Sequence, residues 1–126
     1  MLQIKNLEIS FKKSPPVVKN ISFSLQENEI LGIVGESGSG KSITSLAILG
    51  LLPKFADIKG EILFKEKDLL TYNNKEFQKV RGSNIAMIFQ EPMSSLNPTL
   101  TCGFQVAEIL QLHTKLSTYE IKQEVL

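Results

Sequence analysis

The densest chemistry in this sequence sits in eight consecutive residues: Gly35, Glu36, Ser37, Gly38, Ser39, Gly40, Lys41 and Ser42. Their order satisfies G-x-x-x-x-G-K-[ST], the spacing of a P-loop, and the residue types explain why such a loop takes a polyphosphate. Glycine lets the backbone curl tightly and turn successive N–H groups toward an anion. Ser37 and Ser39 are too small to obstruct that anion, and Gly38, which the motif does not require, eases the curl. Lys41 supplies a mobile ammonium that reaches the β- and γ-phosphates. Ser42 offers a hydroxyl to Mg2+, a hard cation that prefers oxygen ligands. The pattern points to a nucleoside triphosphate bound with its magnesium.

Such a loop works between a strand and a helix, whose first N–H groups and positive dipole end face the phosphates. The flanks supply both. Ile30, Leu31, Ile33 and Val34 make 29–34 nearly continuous in apolar character, as a central parallel strand is. Residues 41–51 predict a helix that is apolar on more than one face, hence buried, and closed by Pro53. Upstream, 2–11 reads as a strand whose alternation slips at Asn6 and Leu7, which predicts a bulge. A turn over 12–16 leads to a half-buried antiparallel strand carrying Ile21, Phe23 and Leu25, and a polar turn follows at 27–29.

Downstream, 60–65 predicts a strand, and 74–80 a short helix stopped by Gly82. Residues 84–90 contain a second buried, parallel-type strand at 85–89. A proline-bearing loop fills 91–99, and 102–113 is an amphipathic helix. Ser117 and Glu120 have the spacing of a capping box and open a last helix, within which the sequence stops. That abrupt end predicts the front part of a longer protein.

Bulk properties set the class. The 126 residues suffice for one small domain with its own core, and 42% hydrophobic with 21% charged is ordinary for a globular protein. A net charge of +1 leaves no electrostatic footprint for nucleic acid, so no nucleic-acid partner is expected. The longest apolar stretch, 43–52, is interrupted by Thr44, Ser45 and Gly50 and falls short of the roughly 18 residues of a membrane span. The first residues lack the apolar run of a signal peptide. Cys102 is the only cysteine, which excludes an internal disulfide, and the lone His113 argues against a His-based metal site.

A second constellation is the run from Arg81 through Phe89, Gln90, Glu91, Pro92, Met93, Ser94, Ser95, Leu96, Asn97 and Pro98. A strand ending in Phe89-Gln90 at this distance after a P-loop resembles the Q-loop of ATP-binding cassette (ABC) ATPases. The spelling of 90–98, and of the loop 35–42, is similar to that of the oligopeptide and dipeptide (peptide/nickel) importer subgroup. The resemblance spans essentially the whole chain. It implies an α/β P-loop NTPase fold of the ABC type, here an antiparallel β subdomain over about 1–28, a partial parallel core over 29–90 and the start of a helical subdomain over 91–126.

The same resemblance implies roles. Gly35 through Ser42 would hold ATP, and Phe11 falls where the family places an aromatic that stacks on adenine, with little base discrimination. Ser42 and Gln90 would be metal ligands. Lys41 and Gln90 would serve catalysis, and the loop after Gln90 would couple the nucleotide core to membrane partners. The cofactors implied are ATP and Mg2+. The partners implied are a second ABC ATPase subunit, identical or not, and transmembrane permease subunits. The location implied is peripheral, on the cytoplasmic face of the membrane.

The sequence departs from the family pattern in what it lacks. It has no Leu-Ser-Gly-Gly-Gln signature, no apolar strand ending in Asp-Glu for the metal carboxylate and general base, and no switch histidine; His113 precedes where the signature would come and reads as a surface or packing residue. Glu91 has no strand to set it opposite a γ-phosphate and is not assigned as a base. The intact protein would therefore be the ATPase and this chain inactive alone. The competing reading is a catalytically inactive nucleotide-binding fragment or docking module. Asp57, Lys59 and Gly60 satisfy the D-x-x-G string of a GTPase, but the string precedes a strand instead of ending one, and Asn74-Lys75-Glu76 lacks the aspartate that reads guanine. A small-molecule kinase would place its P-loop after the first strand, whereas two strands precede this one.

Overall fold

In the first strand, Ile4 and Leu7 are three positions apart and Leu7 and Ile9 two, so regular alternation would put Ile4 on the opposite face. The computed structural model, which describes residues 1–12, 14–90 and 96–125, reconciles them with a bulge. β1 (Leu2–Phe11) pairs antiparallel with β2 (Val18–Leu25) on one side and β3 (Ala56–Phe64) on the other, and the register shifts in both pairings around Asn6. Asn6 takes φ 48°, and its N–H donates to Ser22 Oγ at 2.8 Å. Ile4, Leu7 and Ile9 all end at 1% exposure or less. Across the bulge, a Cβ on Gly60 (φ 100°) would stand 2.5 Å from the Lys5 carbonyl oxygen and 2.6 Å from that of Asn6, so only glycine fits.

β4 (Lys67–Asp68) completes a four-stranded sheet in the order β2-β1-β3-β4, antiparallel throughout. The Asp68 carboxylate accepts from the Leu70 N–H at 3.0 Å and so starts a 3-10 turn over Leu69–Thr71. Buried Val18, Ile62 and Leu69 join the β1 residues, with Ala47, Leu49 and Phe77 from helical segments. Each fully buried aliphatic side chain contributes about 1.5–3 kcal/mol, which makes the bulge worth keeping.

α1 (Lys41–Ile48) is shorter than expected. The Leu51 N–H donates to the Leu46 carbonyl at 2.9 Å and the Gly50 N–H to that of Ala47 at 3.0 Å, a Schellman closure that ends the helix before Pro53. Thr44 and Ala47 are its buried residues, so one face is covered and the rest is half-exposed. β3 begins at Ala56 rather than Gly60, because Ala56 and Ile58 pair in register with Phe11 and Ile9.

The two parallel strands expected at 29–34 and 84–90 do not form. Neither segment belongs to a sheet, and the nearest feature is an isolated bridge between Arg81 and Ile85. Ile30, Val34 and Ile88 are 98%, 97% and 94% exposed. A strand covered on both faces needs hydrogen-bonded neighbours on both edges, and among the described residues these two segments have no such ladder.

The chain divides into two units, Met1–Phe77 and Gln78–Leu126. α2 (Asn74–Val80) has the expected bounds. Its start is a reciprocal cap: the Asn73 N–H donates to Glu76 Oε2 at 2.7 Å, and the Glu76 N–H to Asn73 Oδ1 at 3.1 Å. In the second unit, α3 (Cys102–His113) also has the expected bounds, and Thr101 Oγ1 caps it by accepting from the Phe104 N–H at 3.3 Å. α4 (Thr118–Val125) opens on the expected capping box, with the Ser117 N–H donating to Glu120 Oε2 at 2.7 Å. His113 is half-buried against Gly82, a packing role. Among the described residues no helix is long and apolar enough to cross a membrane.

Candidate nucleotide-binding site

Residues 35–40 form the turn that leads into α1. Gly40 is the N-cap with φ 91°, and no side chain caps this helix. The first N–H groups of a helix have no partner within it, so this end is left to accept an anion. Gly40 is also tightly seated: a Cβ there would stand 2.8 Å from Val18 Cγ2 and 3.1 Å from the Val17 carbonyl oxygen. The Val17 N–H in turn donates to the Ile9 carbonyl at 2.8 Å. The last residues of β1, the approach to β2 and the base of the loop are thereby held together.

Lys41 folds back over the loop. Its Nζ donates to the carbonyl oxygens of Gly35 at 2.7 Å and Glu36 at 2.6 Å, and to Ser39 Oγ at 3.3 Å. These contacts draw the two ends of the loop together, and a phosphate would take their place as partner of the ammonium. The Ser39 N–H donates to the Glu36 carbonyl at 3.2 Å, tightening the same curl. A cavity of about 120 Å3 at this helix end is lined by Gly38, Ser39, Gly40, Lys41, Ser42 and Ile43, with Ser42 exposed beside it. An uncapped helix end, a backbone seat that excludes a Cβ, a bound ammonium and an accessible hydroxyl are a donor set that fits a polyphosphate with its magnesium.

Phe11 closes β1 opposite Ala56 and is half-buried. Its ring meets Phe55 edge to face, with centroids 6.1 Å apart and planes at 63°. Gln90 is exposed at the end of the unpaired 85–89 segment and belongs to the second unit. The middle of the 90–98 motif, residues 91–95 including Glu91, lies outside the described residues. Among the expected site residues, the structure thus brings together Gly35 through Ser42 and ties the end of the Phe11 strand to their base.

Sequence reasoning missed the Val17–Val18 seat because it started the strand at Ile21; the β-branched pair after Pro15-Pro16 was the available signal. It missed Phe55 because the start of β3 was set at Gly60. The D-x-x-G string of the GTPase reading lies inside β3, where Asp57 pairs with Ser10 and Lys59 Nζ reaches Glu8 Oε1 at 2.8 Å. It is a stretch of sheet and not a phosphate-sensing loop.

Comparison with known proteins gives the family. The family profile described as ABC transporter matches residues 18–125. The dipeptide transport ATP-binding protein DppD of Bacillus subtilis is 47% identical over 100% of this chain and 39% of the relative. The oligopeptide transport ATP-binding protein OppD of the same organism is 48% identical over 98% of this chain and 36% of the relative. The chain therefore spans less than half the length of these relatives. A solved dimeric structure of a post-hydrolysis state of the ATP-binding cassette MJ0796, bound to ADP and Pi, is similar with a TM-score of 0.80 at 25% identity. That likeness covers 99% of this chain and 54% of the other, and it bears out the α/β cassette fold class. With the P-loop seated at the start of α1 and the profile matching residues 18–125, the chain belongs to the ABC transporter family.

Proposed function

We propose that this chain is part of the ATP-binding subunit of an ABC importer that couples ATP binding and hydrolysis to uptake of peptides or a related solute. The observation that carries the reading is the loop 35–42, with Lys41 Nζ anchored on the Gly35 and Glu36 carbonyls and Gly40 leading an uncapped helix. The identity to dipeptide and oligopeptide transport ATP-binding proteins supports the solute class.

In this reading Gly35, Glu36, Ser37, Gly38, Ser39 and Gly40 hold the phosphates of ATP, and Phe11 stacks on the base. Lys41 would neutralise phosphate charge and Ser42 would offer its hydroxyl to Mg2+; Gln90 is proposed as a further ligand. The metal's contribution is to neutralise charge on the transferred phosphoryl group. Lys41 and Gln90 are the residues proposed to serve catalysis, by charge and by position. The proposed division is an antiparallel part over 1–28, a nucleotide core over 29–90 and a helical part over 91–126, with β3 and β4 of the core segment added to the antiparallel sheet. A second ATPase subunit and membrane permease subunits are the partners, and the subunit works at the cytoplasmic face of the membrane. The 126 residues hold neither a Leu-Ser-Gly-Gly-Gln signature nor an Asp-Glu-ended strand, so in this reading they are inactive alone.

Lys41→Ala in the full-length protein tests the reading. ATP affinity measured by calorimetry is expected to fall at least about a hundredfold, as when a charge-assisted phosphate contact and its loop clamp are both removed. Unchanged affinity refutes the proposal. Peptide uptake by cells lacking the gene separates the solute class from the alternative of an inactive docking module, for which uptake would not change.

A further inference from the structure

Phe55 lies between α1 and β3 and has no place in the loop 35–42, yet it is tied to the expected base-stacking residue. It is 56% exposed, so it does not serve the core. Its contacts are specific: the Phe11 ring meets it at 6.1 Å with planes 63° apart, and Lys12 Nζ stands over its face 5.5 Å from the centroid. The Lys12 N–H donates to the Phe55 carbonyl at 3.4 Å, fixing the backbone as well. A perpendicular contact uses an edge of one ring and at most one face of the other. It steadies Phe11 and leaves a face of that ring for a stacked base. The end of β1 that carries Phe11 is linked through Ile9 and Val17 to Gly40 at the base of the phosphate loop.

We propose that Phe55, braced by Lys12, is a positioning residue for the nucleotide base, holding the Phe11 ring at the angle from which it stacks. Phe55 acts only through Phe11 and does not touch the phosphates. The proposal rests on the reading of Phe11 as the stacking residue, and the experiment separates the two.

In the full-length protein, Phe11→Ala, Phe55→Ala, the double variant and Phe55→Tyr are titrated with MgATP and, separately, with magnesium tripolyphosphate, which has no base. Phe55→Ala is expected to weaken ATP by roughly three- to tenfold, the range of one aromatic pair, and to leave tripolyphosphate unchanged. Phe55→Tyr, which keeps the ring, restores ATP affinity. The double variant loses no more than Phe11→Ala alone, because the two residues act through one contact. Wild-type ATP affinity in Phe55→Ala beside a loss in Phe11→Ala overturns the positioning role and leaves base stacking standing. Wild-type affinity in Phe11→Ala overturns both. Equal weakening of ATP and tripolyphosphate in Phe55→Ala also overturns the proposal, since it marks an effect on the loop itself.

Discussion

Gly40 carries more than one demand. Its φ of 91° starts α1, and its missing Cβ lets Val17 and Val18 pack against the loop base. Alanine there must adopt a left-handed backbone, at about 1–3 kcal/mol, and push back the Val18 side chain and the carbonyl of Val17, a residue whose N–H is bonded to the Ile9 carbonyl. Gly40→Ala in the full-length protein is expected to weaken ATP by about ten- to a hundredfold. Gly38 has a similar φ of 82°, but a Cβ there would meet nothing within 4 Å. Gly38→Ala is therefore expected to cost less than Gly40→Ala, and the reverse order by calorimetry would contradict the seating argument. The need for glycine at 40 was legible in the motif; the reason for it, a valine pair at the entry to β2, was not, because that contact is between distant residues.

Elements whose determinants are local were the ones the sequence could specify. α2 and α3 have the expected bounds, and the capping box at Ser117 closes as its spacing requires. The reciprocal cap at Asn73 and Glu76 carries the same N-x-x-E information and could have been read in the same way. The slip at Asn6 was legible because burial and alternation disagreed there. Segments 29–34 and 84–90 were misread because an apolar run states that a strand would be covered but not what would pair with it.

At α4 the cap is also a charge. The Ser117 hydroxyl and backbone N–H both donate to the Glu120 carboxylate and hold its pKa below the usual glutamate range. A carboxyl whose folded value is lowered stabilises its helix above the ordinary value, and the contribution disappears as pH falls through the lowered one. Acidification from neutral pH is therefore expected to fray the first turn of α4 only below the ordinary carboxyl range. Ser117→Ala should move the Glu120 midpoint upward in a carbon-detected carboxyl titration. An unmoved midpoint would show that the cap does not control this group.

At the scale of the whole chain, the sheet of the first unit has a proper interior, whereas other apolar surface is uncovered. Ile30, Val34 and Ile88 are almost fully exposed, and Phe104, Val106, Ile109 and Leu112 of α3 are each half or more exposed. Scattered apolar side chains are normal on a surface, but unpaired apolar segments also offer open backbone to other chains. Apolar side chains left in water contribute nothing against conformational entropy, so the favourable term is reduced. The purified 126-residue chain is therefore expected to bind a hydrophobic dye and to unfold over a broad temperature range, with loss of the β1–β3 sheet as its most cooperative part. Amide exchange locates that part independently: Leu7, Ile9 and Ile62, buried to 0%, should be the slowest to exchange, and residues 30–34 and 86–89 among the fastest. A single sharp thermal transition from monomer, with uniform protection across these segments, would mean that 30–34 and 86–89 find sheet partners in solution after all.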